Sequence, residues 1–211
     1  MSDGYPVVLS IGGRRCVVVG GGSVAARKVG SLVEAGGHVI VVAPELSTAI
    51  DETVSAGTIQ VLRRPFASTD LDGAFLAIAA TNRPDVNRAV VQAAQVRGVL
   101  VNVADDPAAC DFRVPATLRR RDVTVAVSTG GRSPAFARSL RLALEGWLTE
   151  ERCLVLELAA EIRRDLKSTA KLPSGKAWQH ALSDEGIAHA LAQGDRATAR
   201  QRLLEHLAAR S

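Results

Sequence analysis

Short apolar runs alternate with amphipathic stretches through the first half of the chain. The apolar runs are rich in Val, Ile and Ala and occupy residues 15–19, 38–43, 59–62, 75–80 and 99–103. The stretches that space their apolar residues as helices do are residues 23–35, 47–55 and 84–97. Since this alternation is typical of parallel strands joined by helices, it predicts an α/β fold with a doubly wound, Rossmann-type sheet over residues 1–112.

The pattern changes after Asp111. Two further apolar runs, at residues 112–116 and 123–127, are joined by the basic segment 118–122. The two runs are too close in sequence for a helical crossover, so we expect an antiparallel pair outside the main sheet.

The rest of the chain is predicted to be helical. One helix is expected from Pro134 to residue 148, with Ser133 as its N-cap. Later helices are expected at residues 151–169, 175–182, 185–192 and 197–209. We therefore predict a small strand–helix segment over residues 113–149 and a helical C-terminal domain over residues 150–211.

Composition places the chain among ordinary globular proteins. Hydrophobic residues make up 47% and aromatic residues only 3%, which predicts a core built from aliphatic side chains. The apolar runs are too short to span a bilayer, and the first ten residues lack the basic and apolar regions of a secretory leader. The three cysteines form no CxxC pair, which favours a reducing compartment, and we expect a cytoplasmic protein.

Charge is distributed unevenly along the chain. Residues 1–112 hold nine Lys and Arg against eleven Asp and Glu, whereas residues 113–211 hold seventeen against eleven. The basic half faces an anionic ligand or is a well-solvated helical surface. Nucleic acid is a weaker alternative, since the run Arg119 to Arg121 lacks neighbouring aromatic residues. The four histidines have no metal-ligand spacing, and we predict no resident metal site.

A glycine-rich turn follows the first predicted strand. The six residues from Gly20 to Ala25 fit the pattern G-x-G-x-x-A between a strand and a helix. Glycines permit a close backbone approach, and the helix N-terminus offers free N–H groups to a pyrophosphate. Dinucleotide binding is the favoured interpretation, and a purely structural turn is the alternative.

The second predicted strand ends at Ala43, Pro44 and Glu45. A carboxylate near this position usually binds the ribose of a dinucleotide, so Glu45 is a candidate, although it could equally be an exposed loop residue. No basic residue lies at positions 43–46 to hold a 2′-phosphate, which favours NAD over NADP.

The fourth and fifth predicted strands end in polar residues. Thr81 and Asn82 follow the fourth strand, and Asp105 and Asp106 follow the fifth. Ligands of open α/β sheets bind at these carboxyl ends, so all four are candidate ligand contacts, with local turns or caps as the alternative. Successive residues of an extended stretch point in opposite directions, so we expect only one of the two aspartates to face a ligand.

A second candidate anion site precedes the helix at Pro134. Two glycines, hydroxyl groups and an arginine there could form a nest of N–H groups, or simply a tight turn with an N-cap. The residues concerned are Ser128, Thr129, Gly130, Gly131, Arg132 and Ser133.

Four blocks of sequence together resemble one family. They are GGGSVAARK at residues 20–28, AIAATN at 77–82, NVADDPAACDF at 102–112 and VAVSTGGRSPAFAR at 125–138. In this order and spacing they resemble the siroheme-synthase dehydrogenases, which are precorrin-2 dehydrogenases and often also sirohydrochlorin ferrochelatases. The resemblance covers about residues 5–150.

This resemblance implies an NAD-dependent oxidation of precorrin-2 to sirohydrochlorin, with Fe²⁺ insertion in some members. It implies a homodimer formed through segment 113–149, and it places the catalytic aspartate at Asp105. No methyltransferase domain is visible in the 211 residues, so we expect no synthesis of precorrin-2 itself. The expected cofactor contacts are Gly20, Gly21, Gly22, Ser23, Val24, Pro44, Glu45, Thr81, Asn82 and Val103. The expected substrate contacts are Asn102, Ser128, Thr129, Gly130, Arg132 and Ser133.

A tetrapyrrole that carries many carboxylates would favour a basic wall. The basic candidates for that wall are Arg113, Arg119, Arg120, Arg121 and Arg132. Asp105 could accept the proton that leaves when hydride passes to the nicotinamide. The alternative function is an NAD-sensing or binding module without turnover.

Overall fold

The computed structural model describes residues 4–55, 57–168 and 172–208. The chain forms two compact units, the first ending at Val114 and the second beginning at Pro115. A further division of the second unit near residue 150 stays a prediction.

The first unit is built on a five-stranded parallel sheet. Its strands are β1 (Arg15–Val19), β2 (His38–Val42), β3 (Gln60–Leu62), β4 (Leu76–Ala79) and β5 (Leu100–Val103). They lie in the order β3-β2-β1-β4-β5, and every pairing is parallel. The connecting helices are α1 (Ser23–Glu34), α2 (Thr48–Ser55) and α3 (Pro84–Arg97). The predicted doubly wound α/β fold is confirmed.

Alternate residues of each strand enter two separate cores. Val17 and Val19 of β1 pack in one cluster, whereas Cys16 and Val18 pack in the other. Since the strands are buried on both faces, they read as continuous apolar runs, and each buried valine contributes roughly 1.5–3 kcal/mol. The sheet core therefore holds the strand ends in fixed positions.

The second unit combines a two-stranded ribbon with five helices in the described residues. Strands β6 (Ala116–Arg120) and β7 (Val123–Val127) are antiparallel and form a sheet of their own, as expected. The helices are α4 (Pro134–Trp147), α5 (Glu150–Ser168), α6 (Gly175–Ala181), α7 (Glu185–Ala192) and α8 (Arg196–Ala208). Ser133 is the N-cap of α4, because its hydroxyl accepts the N–H of Phe136 at 3.2 Å.

One predicted strand is wrong. Residues 112–115 are not in a strand, and β6 instead runs through the stretch expected to be a basic connection. The connection is only the two residues Arg121 and Asp122, with Arg121 in the left-handed region at φ 49°. The reason lies in tertiary hydrogen bonds: the carboxylate of Asp111 accepts the N–H of Val101 at 2.9 Å and ties this stretch to β5.

Among the helices within the described ranges, none is both long and apolar enough to cross a membrane.

Candidate functional site

A cleft of about 910 Å³ lies at the carboxyl ends of the strands in the first unit. It is lined by residues 19–24, 42–47, 65–66, 80–83, 85–86, 89 and 104–105. This is the edge at which open α/β sheets bind their ligands. The predicted ends of the first, second, fourth and fifth strands therefore do meet around one cavity.

The three glycines of the loop after β1 have different surroundings. A β-carbon on Gly20 would overlap the carbonyl oxygen of Ala80, and one on Gly21 would overlap that of Glu45. Gly20 also has φ +128°, which L side chains rarely adopt. At Gly22, by contrast, no heavy atom in the described part of the chain lies within 4 Å of the β-carbon position. The first two glycines let the chain pack, and the third leaves space in the cleft.

The N-terminus of α1 opens into the same cleft. Its N-cap, Gly22, provides no side-chain hydrogen bond, and the first turn of the helix contains no acidic residue. Ser23 and Val24 of that turn line the cleft. Free N–H groups and the positive end of the helix dipole form a site for an anion such as a pyrophosphate.

The loop after β2 forms the next wall. Pro44 and Glu45 line the cleft as expected, and Glu45 is exposed. Ser47 was missed by the sequence reasoning: its N–H donates to the carbonyl of Gly21 at 2.7 Å. Its hydroxyl oxygen is buried and has no hydrogen-bond partner among the residues that the structure describes. A ligand in the cleft could supply that partner, since buried polar groups are normally bonded.

Two arginines follow β3 near this wall, and both form ion pairs with aspartates. Arg63 forms an ion pair with Asp51 at 2.6 Å, and Arg64 donates to both oxygens of Asp70 at 2.5 and 2.9 Å. The segment that they hold, Pro65 and Phe66, lines the cleft.

The turn after β4 is ordered by its own side chains. Thr81 and Asn82 line the cleft. The hydroxyl of Thr81 donates to the amide oxygen of Asn87 at 2.7 Å, and the amide nitrogen of Asn87 donates to the carbonyl of Thr81 at 3.1 Å. The threonine is thus bonded locally, while both residues border the cavity.

Only one of the two aspartates after β5 lines the cleft. Asp105 lines the cleft and is exposed, whereas Asp106 is exposed outside its lining. Asp105 lies in the left-handed region at φ 63°, which is unusual for a residue with a β-carbon. Asp105 thus lines the same cavity as the glycine loop.

Asn102 and Val103 lie inside the protein and outside the cleft lining. Both are buried, at 7% and 5% exposure. The amide of Asn102 donates to the carbonyl of Phe112 at 2.9 Å. A buried amide bonded in this way holds the chain after β5 in place, and the expected ligand contacts of the two residues are not favoured by this placement.

Lys28 is a further neighbour of the site that the sequence reasoning did not single out. It follows the cleft-lining Val24 by four residues, so the two share one face of α1. Burial lowers the pKa of its ammonium, and Arg27 lowers that pKa further. The Coulombic influence of Cys110 and Asp105 raises the pKa of Lys28, but burial outweighs it, and the net shift is downward. Its burial follows from helix packing and could not be read from a motif.

The other predicted anion site belongs to the second unit. The hydroxyl of Thr129 accepts the N–H of Ser133 at 3.2 Å, and that of Ser128 accepts the N–H of Gly130 at 3.3 Å. Gly130 and Gly131 both have positive φ, so the segment forms a closed, tight turn. The expected substrate contacts of this turn, with Arg132, stay a prediction.

Two of the candidate basic residues are engaged within the second unit. Arg120 donates to the carbonyls of Glu145 and Leu148 at the end of α4. Arg121 forms ion pairs with Glu150 at 2.8 Å and Glu157 at 2.7 Å. These contacts give both side chains a structural role.

Across the described ranges, no group of His, Cys, Asp and Glu could hold a metal ion.

Comparisons with known proteins agree with this geometry. Residues 7–116 match the family model described as putative NAD(P)-binding. The chain is 40% identical over 204 residues to a siroheme synthase of Methylococcus capsulatus, covering 96% of this chain and 43% of that protein. It is 43% identical over 162 residues to a siroheme synthase of Nitrosococcus oceani, covering 77% and 35%. The chain thus spans less than half the length of these curated relatives.

A solved structure gives the same result for the fold. "SirC, precorrin-2 dehydrogenase" superposes with a TM-score of 0.72 at 27% identity, covering 95% of this chain and 99% of that one. The resemblance to siroheme-synthase dehydrogenases that the four sequence blocks indicated is confirmed. With a matching family model over more than half of its length and a glycine loop that opens on the strand-end cleft, the chain belongs to the NAD(P)-binding family that this model describes.

Proposed function

We propose that this protein binds NAD in the strand-end cleft and oxidises precorrin-2 to sirohydrochlorin. The observation that carries the proposal is that one cavity contains both the open N-terminus of α1 and the carboxylate of Asp105. The first is a site for a pyrophosphate, and the second is a candidate proton acceptor. The substrate class is inferred from the siroheme synthases and the precorrin-2 dehydrogenase to which the chain is similar.

Different residues of the cleft are proposed to contact different parts of the cofactor. Gly22 leaves room for the pyrophosphate, and the N–H groups of Ser23 and Val24 face it. Glu45 and the buried hydroxyl of Ser47 are placed to accept and donate hydrogen bonds at the β2 side. Thr81 and Asn82 border the cavity at the β4 side. NAD, when bound, supplies a nicotinamide ring that accepts hydride.

Asp105 is the proposed catalytic base. When hydride leaves a ring carbon of the substrate, a proton must also leave, and the carboxylate of Asp105 accepts it. Its exposure to the cleft leaves it accessible to a bulky substrate. In a subsequent Fe²⁺ insertion, the same carboxylate would accept pyrrole protons.

Residues 113–211 are proposed to provide the cationic and polar contacts for the substrate's carboxylates. This part of the sequence carries the excess of positive charge, and a polycarboxylate favours such a surface. Since Arg120 and Arg121 are engaged within the second unit, Arg113 and Arg132 are the better candidates for contact with substrate carboxylates. The hydroxyls and N–H groups of residues 128–133 would add contacts beside Arg132.

We also propose a homodimer formed through α4. Phe136, Leu140 and Trp147 follow one another at helical spacing and are 58%, 40% and 58% exposed. Large apolar side chains aligned on one helix face mark an interaction surface. The ribbon β6–β7 packs against α4 within the same unit, through Leu118, Val125 and Leu144. A second copy of the chain would cover the apolar stripe that this packing leaves exposed.

The dimer is tested by the mass of the protein in solution. Leu140→Glu should convert a dimer to a monomer in light scattering, because a charge would be placed in the apolar stripe. Arg138→Glu, which lies on another exposed face of α4, should leave the dimer intact. A monomeric parent protein, or a dimeric Leu140→Glu variant, would contradict this assembly.

The reaction is tested by an anaerobic assay with precorrin-2 and NAD, followed by addition of Fe²⁺. We expect the absorbance of sirohydrochlorin first, with siroheme after the metal is added if the second step is retained. Asp105→Asn should lower turnover by about a hundredfold or more while NAD still binds. Asp106→Asn is the matched control, since Asp106 does not line the cleft, and it should remain active.

The alternative is an NAD-sensing module without turnover. It predicts that the parent protein binds NAD but forms no sirohydrochlorin, and that neither aspartate variant differs from it. NAD binding without product under these conditions would exclude the proposed dehydrogenase.

We further propose a cytoplasmic location, in keeping with the three free cysteines Cys16, Cys110 and Cys153.

A further inference from the structure

A thiol closes the turn that presents Asp105. The sulfur of Cys110 accepts the N–H of Val103 at 3.1 Å, at the end of β5. The same sulfur lies 3.2 Å from the carbonyl oxygen of Asp106 and 3.4 Å from that of Val103, so its single S–H has both acceptors within reach. Asp105 lies between these two anchor points. The side chain of Cys110 therefore bridges both ends of the turn.

The turn needs this support because its backbone is unfavourable. Asp105 has φ 63°, in the left-handed region that is sterically unfavourable for a residue with a β-carbon. Such a conformation persists only where the surrounding structure enforces it. The amide nitrogen of Asn102 also lies 3.4 Å from the sulfur, so the thiol links strand β5 to the turn.

We propose that Cys110 is a positioning residue for Asp105, and that covalent modification of its thiol stops the dehydrogenation without preventing NAD binding. This inference rests on the proposed function. A group attached to the sulfur replaces the S–H and occupies the space between Val103 and Asp106, so the turn must open. The carboxylate then leaves its place beside the substrate, while the glycine loop on β1 is untouched.

The protein's cysteines make this step selective. The chain contains three, and Cys16 and Cys153 are buried, with 0% and 1% exposure. Burial raises the pKa of both thiols and so lowers their reactivity, because the thiolate is the nucleophile. Cys110 is only half-buried, so its sulfur is more accessible than those of the other two cysteines. Iodoacetamide should therefore react at Cys110 first.

The reaction with iodoacetamide is a simple substitution. The thiolate of Cys110 forms a bond to the methylene carbon, the carbon–iodine bond breaks, and iodide leaves. The thiol proton goes to solvent, and nothing is oxidised or reduced. The product carries a carbamidomethyl group on sulfur, which peptide mass spectrometry locates.

The test compares alkylated and untreated full-length protein. Alkylation should lower kcat at least about tenfold, as expected for a misplaced catalytic group, and leave the Kd for NAD unchanged. Cys110→Ser keeps a donor and an acceptor at this position, so it should retain most of the turnover and resist iodoacetamide. Cys110→Ala should lose kcat as the alkylated protein does. Full activity in the alkylated protein or in Cys110→Ala would overturn the inference, as would loss of NAD binding on alkylation.

A second readout does not depend on turnover. Amide hydrogen exchange over residues 103–106 should become faster in the alkylated protein, because the N–H of Val103 loses its acceptor. Unchanged exchange would overturn the positioning role even if the untreated protein proved inactive. Absence of product in the untreated protein, together with faster exchange after alkylation, would refute the proposed dehydrogenase and leave the role of Cys110 in the turn supported.

Discussion

Gly20 packs directly against the carbonyl of Ala80, so that a β-carbon on residue 20 would overlap the oxygen atom at the end of β4. This contact brings the glycine loop and the β4 turn together as adjacent walls of one cleft. Gly20 and Gly22 therefore have different roles, because a β-carbon at position 22 would have open space, whereas one at position 20 would overlap the backbone. Substitutions at these two positions should therefore fail in different ways.

Gly20→Ala should destabilise the first unit by about 1–3 kcal/mol, because it introduces both an overlap and an unfavourable φ. Gly22→Val should leave the free energy of unfolding nearly unchanged and weaken NAD binding, since its side chain would enter the cleft. Urea unfolding and NAD titration of the two variants measure these effects. Equal NAD affinity in Gly22→Val and the parent protein would refute the proposed contact.

Substitutions at Asp105 should reveal the backbone cost of its position. Asp105→Gly should be more stable than Asp105→Ala by about 1 kcal/mol, because only glycine adopts φ 63° without strain. Asp105→Asn should be close to the parent protein, since asparagine tolerates the left-handed region. Thermal unfolding of the three variants gives the order. Equal stability of the Gly and Ala variants would show that the turn relaxes.

Asp70 should stabilise the first unit in a pH-dependent manner. Burial raises the pKa of this carboxyl, but hydrogen bonds from Arg64 and from the N–H of Ala67 outweigh it, and the pKa is lowered from 3.8. The stabilisation is therefore complete above pH 3.8 and is lost as the pH falls below that value. Asp70→Asn should cost about 2 kcal/mol at neutral pH, and the cost should shrink in acid.

Urea unfolding at neutral and acid pH measures this difference. The control is Asp72→Asn, because Asp72 is 64% exposed and its pair with Arg97 contributes little. A loss at Asp70→Asn that stays constant as the pH falls would contradict the assignment of the stabilisation to the carboxylate.

Asp184 should have the same role in the second unit. Hydrogen bonds from Arg202 above all, and then from the N–H of Gly186 and from His206, lower its pKa from 3.8 to about 2. Since the folded pKa is depressed, the stabilisation is present above pH 3.8 and disappears as the pH falls toward 2. Asp184→Ala should cost about 2 kcal/mol through loss of the α7 N-cap and the ion pair.

Thermal unfolding between neutral and acid pH tests this. Glu185→Ala, one residue further on and 84% exposed in its side chain, should change little. If the two variants lost equal stability, the hydrogen bonds and ion pair of Asp184 would not be the cause.

The parallel sheet and the glycine loop could be predicted because their signals are local. Strands such as β1 are continuous apolar runs, and helix ends are marked by residues such as Pro84 and Gly98, which has φ 65°. The convergence of Gly22 and Asp105 on one cleft follows from the rule that parallel strands end at one edge.

The errors arose where hydrogen bonds distant in sequence decide the outcome. The pairing of β6 is displaced because Asn102 and Asp111 tie the preceding residues to β5. The burial of Asn102, of the Ser47 hydroxyl and, in part, of Lys28 likewise depends on how neighbouring elements pack, and no spacing along the chain reports it. The sequence can therefore assign polar residues near a predicted strand end to the correct edge of the sheet. It does not tell which of them line the cavity and which are buried outside it.

The exposed Trp147 on α4 has a practical consequence. The chain has only one other tryptophan, Trp178 on α6, so both indole rings belong to the second unit. Tryptophan fluorescence should follow the unfolding of that unit while the sheet domain stays optically silent. A blue shift of the Trp147 emission with rising protein concentration would then signal the transfer of this ring from water into a contact between copies.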